Sequence, residues 1–269
     1  MLSCHNEKHL QKVPHLDAKC IIFNLEDGVS KEQKPEALKL CAKYLKIYND
    51  MNINKMLVVR INALDDGGIN EIKYLNEFKP DAIRIPKINS KEDVVKALEL
   101  IDDDIDIHLS IETSSAWKNL SSLKTDSRVT TFYLGVLDLF ADMKLAHSII
   151  DINNPTMKYI LSHFLISSLS IGVKPVSFVY QNYKNLNLFE SWLDLEKQMG
   201  YDAKVCISPS QVRLVNEVFS DDAKEIARAK KIIELFENQR ELGITGFVDE
   251  QYGFIDEPIY KGALALLHR

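Results

Sequence analysis

Short apolar or β-branched runs alternate with longer amphipathic stretches along most of this chain. The runs lie at 20–26 (CIIFNLE), 56–62 (MLVVRIN), 82–87 (AIRIPK), 106–112 (DIHLSIE), 129–135 (VTTFYLG), 174–180 (KPVSFVY) and 203–208 (AKVCIS). Most read as continuously apolar, the pattern of parallel strands covered on both faces. Between them a helical period takes over. Ala37, Leu38, Cys41, Ala42, Leu45 and Tyr48 share one stripe of a helix predicted over 31–48. Ser90, followed by Lys91, Glu92 and Asp93, reads as an N-cap with acids in the first turn. Pro155 opens a helix that Gly172 closes, and another over 186–199 ends at Gly200.

Strand–helix alternation predicts a parallel sheet. Seven strands are evident, and a closed (β/α)8 TIM barrel needs eight. The expectation is such a barrel, with its first strand truncated to 1–4. A long charged helix over 221–242 then breaks the rhythm, with Ile226, Ala229, Ile233 and Phe236 on one side. An irregular tail and a small helix over 258–267 follow, without a low-complexity linker. The expected division is a barrel domain at 1–219 and a C-terminal helical extension at 220–269.

Composition narrows the class. The 269 residues are 46% hydrophobic and 27% charged, which excludes a disordered chain, a collagen-like fibre and a disulfide-built miniprotein. A net charge of -6 and a pI near 5.7 argue against nucleic acid as a partner. The longest apolar stretch, 160–173, is interrupted by His163, four serines and Gly172, so no membrane span is expected. Cys4, His5, Glu7 and Lys8 stand where a signal peptide needs an apolar core. The four cysteines show no paired spacing, and reduced thiols in a cytoplasmic protein are expected.

Barrel chemistry sits at the carboxyl ends of strands. The run at 20–26 leads into Glu26 and Asp27, and Arg60, Lys87, Glu112 and Asp138 follow at intervals of 27, 25 and 26 residues. That is about one βα unit each, so these side chains are expected to converge on one mouth. Glu112 and Asp138 are candidate Mg²⁺ ligands that leave positions for water and a bidentate substrate. Arg60 suits a carboxylate or a developing oxyanion, and the set as a whole suits an α-hydroxy or α-keto acid. Plainer readings stand beside these. Glu26, Asp27 and Gly28 also read as a turn, Lys87 as a loop or ion-pair lysine, and each lone acid as a cap or salt-bridge partner.

At this point the chain resembles the citrate lyase β-subunit-like enzymes of the HpcH/HpaI aldolase group, which include malyl-CoA and citramalyl-CoA lyases. The resemblance is carried by NLEDGV at 24–29, VRIN at 59–62, IRIPK at 83–87, IET at 111–113, LGVLDLFADM at 134–143 and GYDAKVCISPSQV at 200–212. It continues through VNEVFS at 215–220 and GFIDEPIYKGAL at 253–264. It implies a trimeric barrel with Mg²⁺ on Glu112 and Asp138, and Arg60 contacting substrate. Glu26, Asp27 and Lys87 join Arg60 as candidate substrate-binding residues. Asp256 would be a catalytic acid or base on a lid over a neighbouring subunit's site; its plainer reading is a helix N-cap before Pro258.

The implied reaction joins or cleaves a carbon–carbon bond between a keto acid (oxaloacetate, glyoxylate or pyruvate) and an acyl thioester of CoA or a carrier protein. A diverged keto-acid-binding subunit of a larger lyase complex, and an aldolase acting on free acids, are the alternatives. Departures from the family pattern motivate them. Asn24 replaces the first acid of a DLED-type motif, 114–117 reads SSAW without the usual glycine, and Ser208 replaces a histidine. Gln181 and Asn182 replace acids, and the family's first strand and V-P-G turn are almost absent. His5, His9, His108, His147, His163 and Cys206 are expected to be structural, as are Trp117, Phe132, Tyr133 and Trp192. Gly67 and Gly68 lack phosphate-loop spacing.

Overall fold

In the computed structural model, which describes residues 1–220 and 223–267, the apolar runs become one all-parallel sheet in strict chain order. Its strands are β1 (Leu2–Ser3), β2 (Cys20–Asn24), β3 (Met56–Arg60), β4 (Ala82–Ile85), β5 (Asp106–Ile111), β6 (Val129–Leu134) and β7 (Lys174–Val176). Even the two-residue β1 pairs with β2, Leu2 beside Phe23 and Ser3 beside Asn24. The run at 203–208 is reduced from the expected strand to one parallel bridge, Lys204 with Ser177 beyond β7. The Met1 nitrogen donates to the Cys206 carbonyl at 2.7 Å, which brings this segment back against the start of β1. Seven strands and a bridged eighth position thus form the ring of an α/β barrel.

The strands are covered on both faces, as the sequence reading expects, but the two faces differ in character. Side chains on a strand alternate sides. Ile21, Phe23, Leu57, Val59, Ile83, Ile85, Ile107, Leu109, Ile111 and Phe132 pack outward in the main core beneath the helices. The intervening Ile22, Val58, Ala82, Tyr133, Val176 and Val205 meet one another across the interior of the ring. Towards the carboxyl ends this inward series turns polar, through Asn24, Glu26, Arg60, Arg84, His108, Ser110 and Glu112, all buried. Large aliphatic outward residues mask the alternation in a one-dimensional reading.

Helix ends follow the local signals. Ser90 caps Lys91–Leu98 with a reciprocal Ser90–Asp93 capping box. Asn154 caps Pro155–Ser170, and Gly200, at φ 105°, closes Leu186–Met199 in the left-handed region. Where ladder bonds thin out at the eighth position, a buried ion pair pins the wall. Lys204 Nζ donates to Glu196 Oε1 at 2.5 Å, and Ser177 Oγ donates to the same oxygen at 2.6 Å. Phe178 lies against the ammonium, 3.9 Å from Nζ to the ring centroid.

The chain divides into two compact units, Met1–Phe219 and Ser220–Arg269. The second unit has a helix at Ala223–Glu241, an antiparallel hairpin of β8 (Gly246–Asp249) and β9 (Gly253–Asp256), and a helix at Glu257–Leu267. Positions 221 and 222 of the expected long helix lie outside the described residues. Ala229, Ile232, Phe236, Ile255 and Ala263 form this unit's core, and Phe236 stacks on Tyr260 at 4.5 Å. All four cysteines are unpaired. No helix among the described residues is long and apolar enough to cross a membrane.

Breaking the Lys204–Glu196 pair from one side strands a buried charge. Glu196→Leu or Lys204→Met alone should cost about 3–5 kcal/mol in urea unfolding, and the double variant should recover most of that loss.

Candidate active site at the carboxyl ends of the strands

Arg60 closes β3 with its side chain turned into the ring and only 6% of the residue exposed. Its guanidinium contacts the Glu26 carboxylate directly, lies 3.4 Å from Asp27 Oδ2 and 3.7 Å from Glu112 Oε2. Three carboxylates share one buried cation. Glu26 and Glu112 are themselves buried, whereas 63% of the Asp27 side chain is exposed. Burial outweighs the attraction of Arg60 and pushes Glu26 up to about 7, with Glu112 and Asp27 adding to the rise.

Glu112 follows β5 and is 2% exposed; its Oε1 accepts the backbone N–H of Lys87 at 2.9 Å. Lys87 takes the left-handed conformation, φ 55°, immediately after Pro86. Its Nζ donates to Asp138 Oδ1 at 3.3 Å. One residue therefore touches both expected metal ligands. Asp138 lies in the first turn of the helix Val136–Asp142, reached through Gly135. A Cβ at Gly135 would stand 2.5 Å from Glu112 Cβ and 2.6 Å from its Oε2, so the carboxylate occupies space that only a glycine leaves free.

A cavity of about 290 Å³ opens here, lined among others by Asp27, Arg60, Arg84, Glu112, Asp138 and Gln181. Among the described residues no cluster of three or more His, Cys, Asp or Glu side chains is arranged around a metal position. Two carboxylates supply oxygen alone, the hard-donor set that suits Mg²⁺ with water and a ligand completing its shell. Asn62, another strand-end residue, is a brace instead: its side chain donates to Glu71 Oε1 and the Leu25 carbonyl. Asp256 belongs to the second unit, where its Oδ1 accepts from Ile259 N at 3.1 Å at the start of the terminal helix.

The departures from the family pattern have local roles. Asn24 Nδ2 donates to the Asp27 carbonyl at 2.5 Å and ties down the turn that presents Asp27. Ser208 caps Pro209–Val218 by accepting from Gln211 N. Thr113 caps Ser114–Lys118, and the Trp117 ring packs at a tilt against His163, 4.9 Å between centroids. Sequence reasoning missed Arg84, which sits within β4 rather than at its end. A charge on the inward alternate of an apolar strand was the available signal.

A barrel with buried charge gathered at its strand ends defines an α/β-barrel protein that works through its carboxyl-end loops. The chain belongs to the HpcH/HpaI aldolase/citrate lyase family, whose model matches residues 2–209. It is 29% identical over 238 residues to a (3S)-malyl-CoA thioesterase of Cereibacter sphaeroides (strain ATCC 17025 / ATH 2.4.3), covering 88% of this chain and 81% of the relative. It is 28% identical over 265 residues to the citrate lyase subunit beta of Haemophilus influenzae, covering 93% and 88%. In fold it matches CitE of Mycobacterium tuberculosis, a structure in complex with magnesium, acetoacetate and coenzyme A. The TM-score is 0.77 at 19% identity, over 99% of this chain and 95% of that one. A citrate lyase of Burkholderia xenovorans matches with a TM-score of 0.83 at 16% identity, over 97% and 87%.

Two outcomes test this geometry. Gly135→Ala should displace the Glu112 carboxylate and cost about 1–3 kcal/mol of stability through overpacking, read by urea unfolding. His108, whose Nδ1 lies 3.1 Å from the Tyr133 hydroxyl, is pushed down to about 3 by burial and then by the charge of Arg84. Its neutral form therefore supports the fold fully above about pH 6.5, and that support drains away as pH falls towards 3. Relative to His108→Gln, the wild type should lose about 3 kcal/mol between pH 7.5 and 4.5.

Proposed function

We propose that this protein is a Mg²⁺-dependent carbon–carbon lyase that cleaves, or in reverse forms, a 3-hydroxyacyl thioester, giving a keto acid and an acyl thioester. The observation that carries this reading is the Lys87 bridge. Its N–H holds Glu112, its ammonium meets Asp138, and Arg60 stands beside Glu112 in the same cavity. The family and the names of the relatives agree with it, as does the magnesium and coenzyme A bound by the similar CitE structure.

Glu112 and Asp138 would hold the metal, which supplies electrophilic polarisation of the keto-acid oxygen. Asp138 is the more exposed of the two, with 42% of its side chain accessible, and its Lys87 partner is similarly exposed. Arg60 binds the carboxylate of the acid and is oriented by Glu26. Glu26 and Asp27 shape the rim, where the Asp27 turn faces incoming ligand. In cleavage, a base removes the hydroxyl proton. As the oxygen's electron pair forms the carbonyl, the bond from that carbon to the thioester's α-carbon breaks. Its electrons leave as the thioester enolate, which is reprotonated at the α-carbon. Asp256 is proposed as the acid–base group, carried on the lid of a neighbouring subunit in a homotrimer. The thioester would be that of CoA or of a carrier protein, the latter in a complex with other lyase subunits.

The test is calorimetric. Mg²⁺ should strengthen binding of oxaloacetate, pyruvate or glyoxylate by about tenfold or more, and Glu112→Ala should abolish that gain. The absence of any metal effect in the wild type would remove the reading.

A further inference from the structure

We infer that Arg84 is a second carboxylate-binding group on the cavity floor, one that selects keto acids carrying two carboxylates over those carrying one. This rests on the lyase reading of the same site.

Arg84 and Arg60 are register partners on adjacent strands, so two guanidinium groups enter the ring side by side. Their surroundings differ sharply. Arg60 has three carboxylate partners, whereas no ion pair among the described residues includes Arg84. Arg84 is 4% exposed, and only its Nε finds a partner, Ser110 Oγ at 2.9 Å. Its guanidinium carbon lies 4.1 Å from the centre of the Tyr133 ring, which steers the planar group without neutralising it. Nη1 is buried with no hydrogen-bond partner, and so is Nε of Arg60 beside it. Both arginines line the cavity.

A buried cation without a counter-charge costs several kcal/mol, and a guanidinium presents its N–H groups in a planar fork that fits a carboxylate. Glu26 and Glu112 lie near enough to favour the charge, yet neither pairs with it. Burial lowers Arg84 to about 10, so it remains a cation at neutral pH. The missing partner is thus an anion that enters with the ligand. Arg60 and the Glu112–Asp138 pair take the α-keto carboxylate end, and Arg84 takes a second carboxylate. A ligand with one carboxylate leaves Arg84 as it stands, unpaired. Sites built to pair a ligand group discriminate strongly against analogues that lack it.

Oxaloacetate and pyruvate differ only in that second carboxylate. With Mg²⁺ present, calorimetric titration of the wild type should show oxaloacetate binding about 30–100-fold more tightly. Arg84→Met should remove that preference while leaving pyruvate affinity within about twofold. Arg84→Gln, which can keep the bond to Ser110, should do the same and covers the case in which the methionine variant does not fold. Equal affinities in the wild type would overturn the inference while leaving the lyase reading intact. A variant in which both ligands weaken together would also overturn it, since Arg84 would then only maintain the cavity. Binding of neither ligand to the wild type would defeat both readings.

Discussion

The Arg60 guanidinium, buried among the carboxylates of Glu26, Asp27 and Glu112, ties the ends of three strands into one mouth. Because the charge is desolvated, its partners cannot drift apart without leaving an unpaired ion in the interior. Glu112 is fixed from two further sides, by the Lys87 N–H and by the space that Gly135 leaves. Asp138 enters through the next strand end and is joined to the set by the Lys87 ammonium. The site is a network in which each acid has a cation: Arg60 serves Glu26, Asp27 and Glu112, and the Lys87 ammonium serves Asp138.

This arrangement explains why the ring interior changes character along its axis. Its amino-terminal portion is closed by Ile22, Val58, Ala82, Val176 and Val205, small and medium apolar groups that need no partners. Above them come His108, Ser110 and the two arginines, several with atoms that find no protein partner. Such atoms are costly in a finished core and reasonable at the base of a ligand site. The wall itself is uneven. Where the eighth position offers only one bridge, the Lys204–Glu196 pair replaces ladder bonds with side-chain chemistry.

Most of the architecture was legible in the chain. The βα spacing placed Arg60, Lys87, Glu112 and Asp138 at successive strand ends, where three contacts join them: Arg60 to Glu112, the Lys87 N–H to Glu112 and the Lys87 ammonium to Asp138. Helix limits followed Ser90, Pro155 and Gly200 because end signals are local chemistry. Three features escaped. The change of the inward series from apolar to polar towards the carboxyl ends was hidden by the aliphatic residues between its members, the last run proved too short of pairing partners to remain a strand, and Arg84 was not singled out within the IRIPK run. Asp256 illustrates the opposite case. Its bond to Ile259 N is the cap that its sequence context suggests, and a cap leaves one carboxylate oxygen for other work.

What the sequence determined by itself is the order of elements and the chemistry at their ends, since hydrophobic period, caps and βα spacing are all properties of neighbouring residues. What only the tertiary structure decided is which charges share partners. Among the described residues Arg60 has three acid partners and Arg84 has no ion pair, although the two lie only one strand apart. That difference arises from ring closure, which brings residues distant in the chain into a space with too little water to screen them. No local pattern records it.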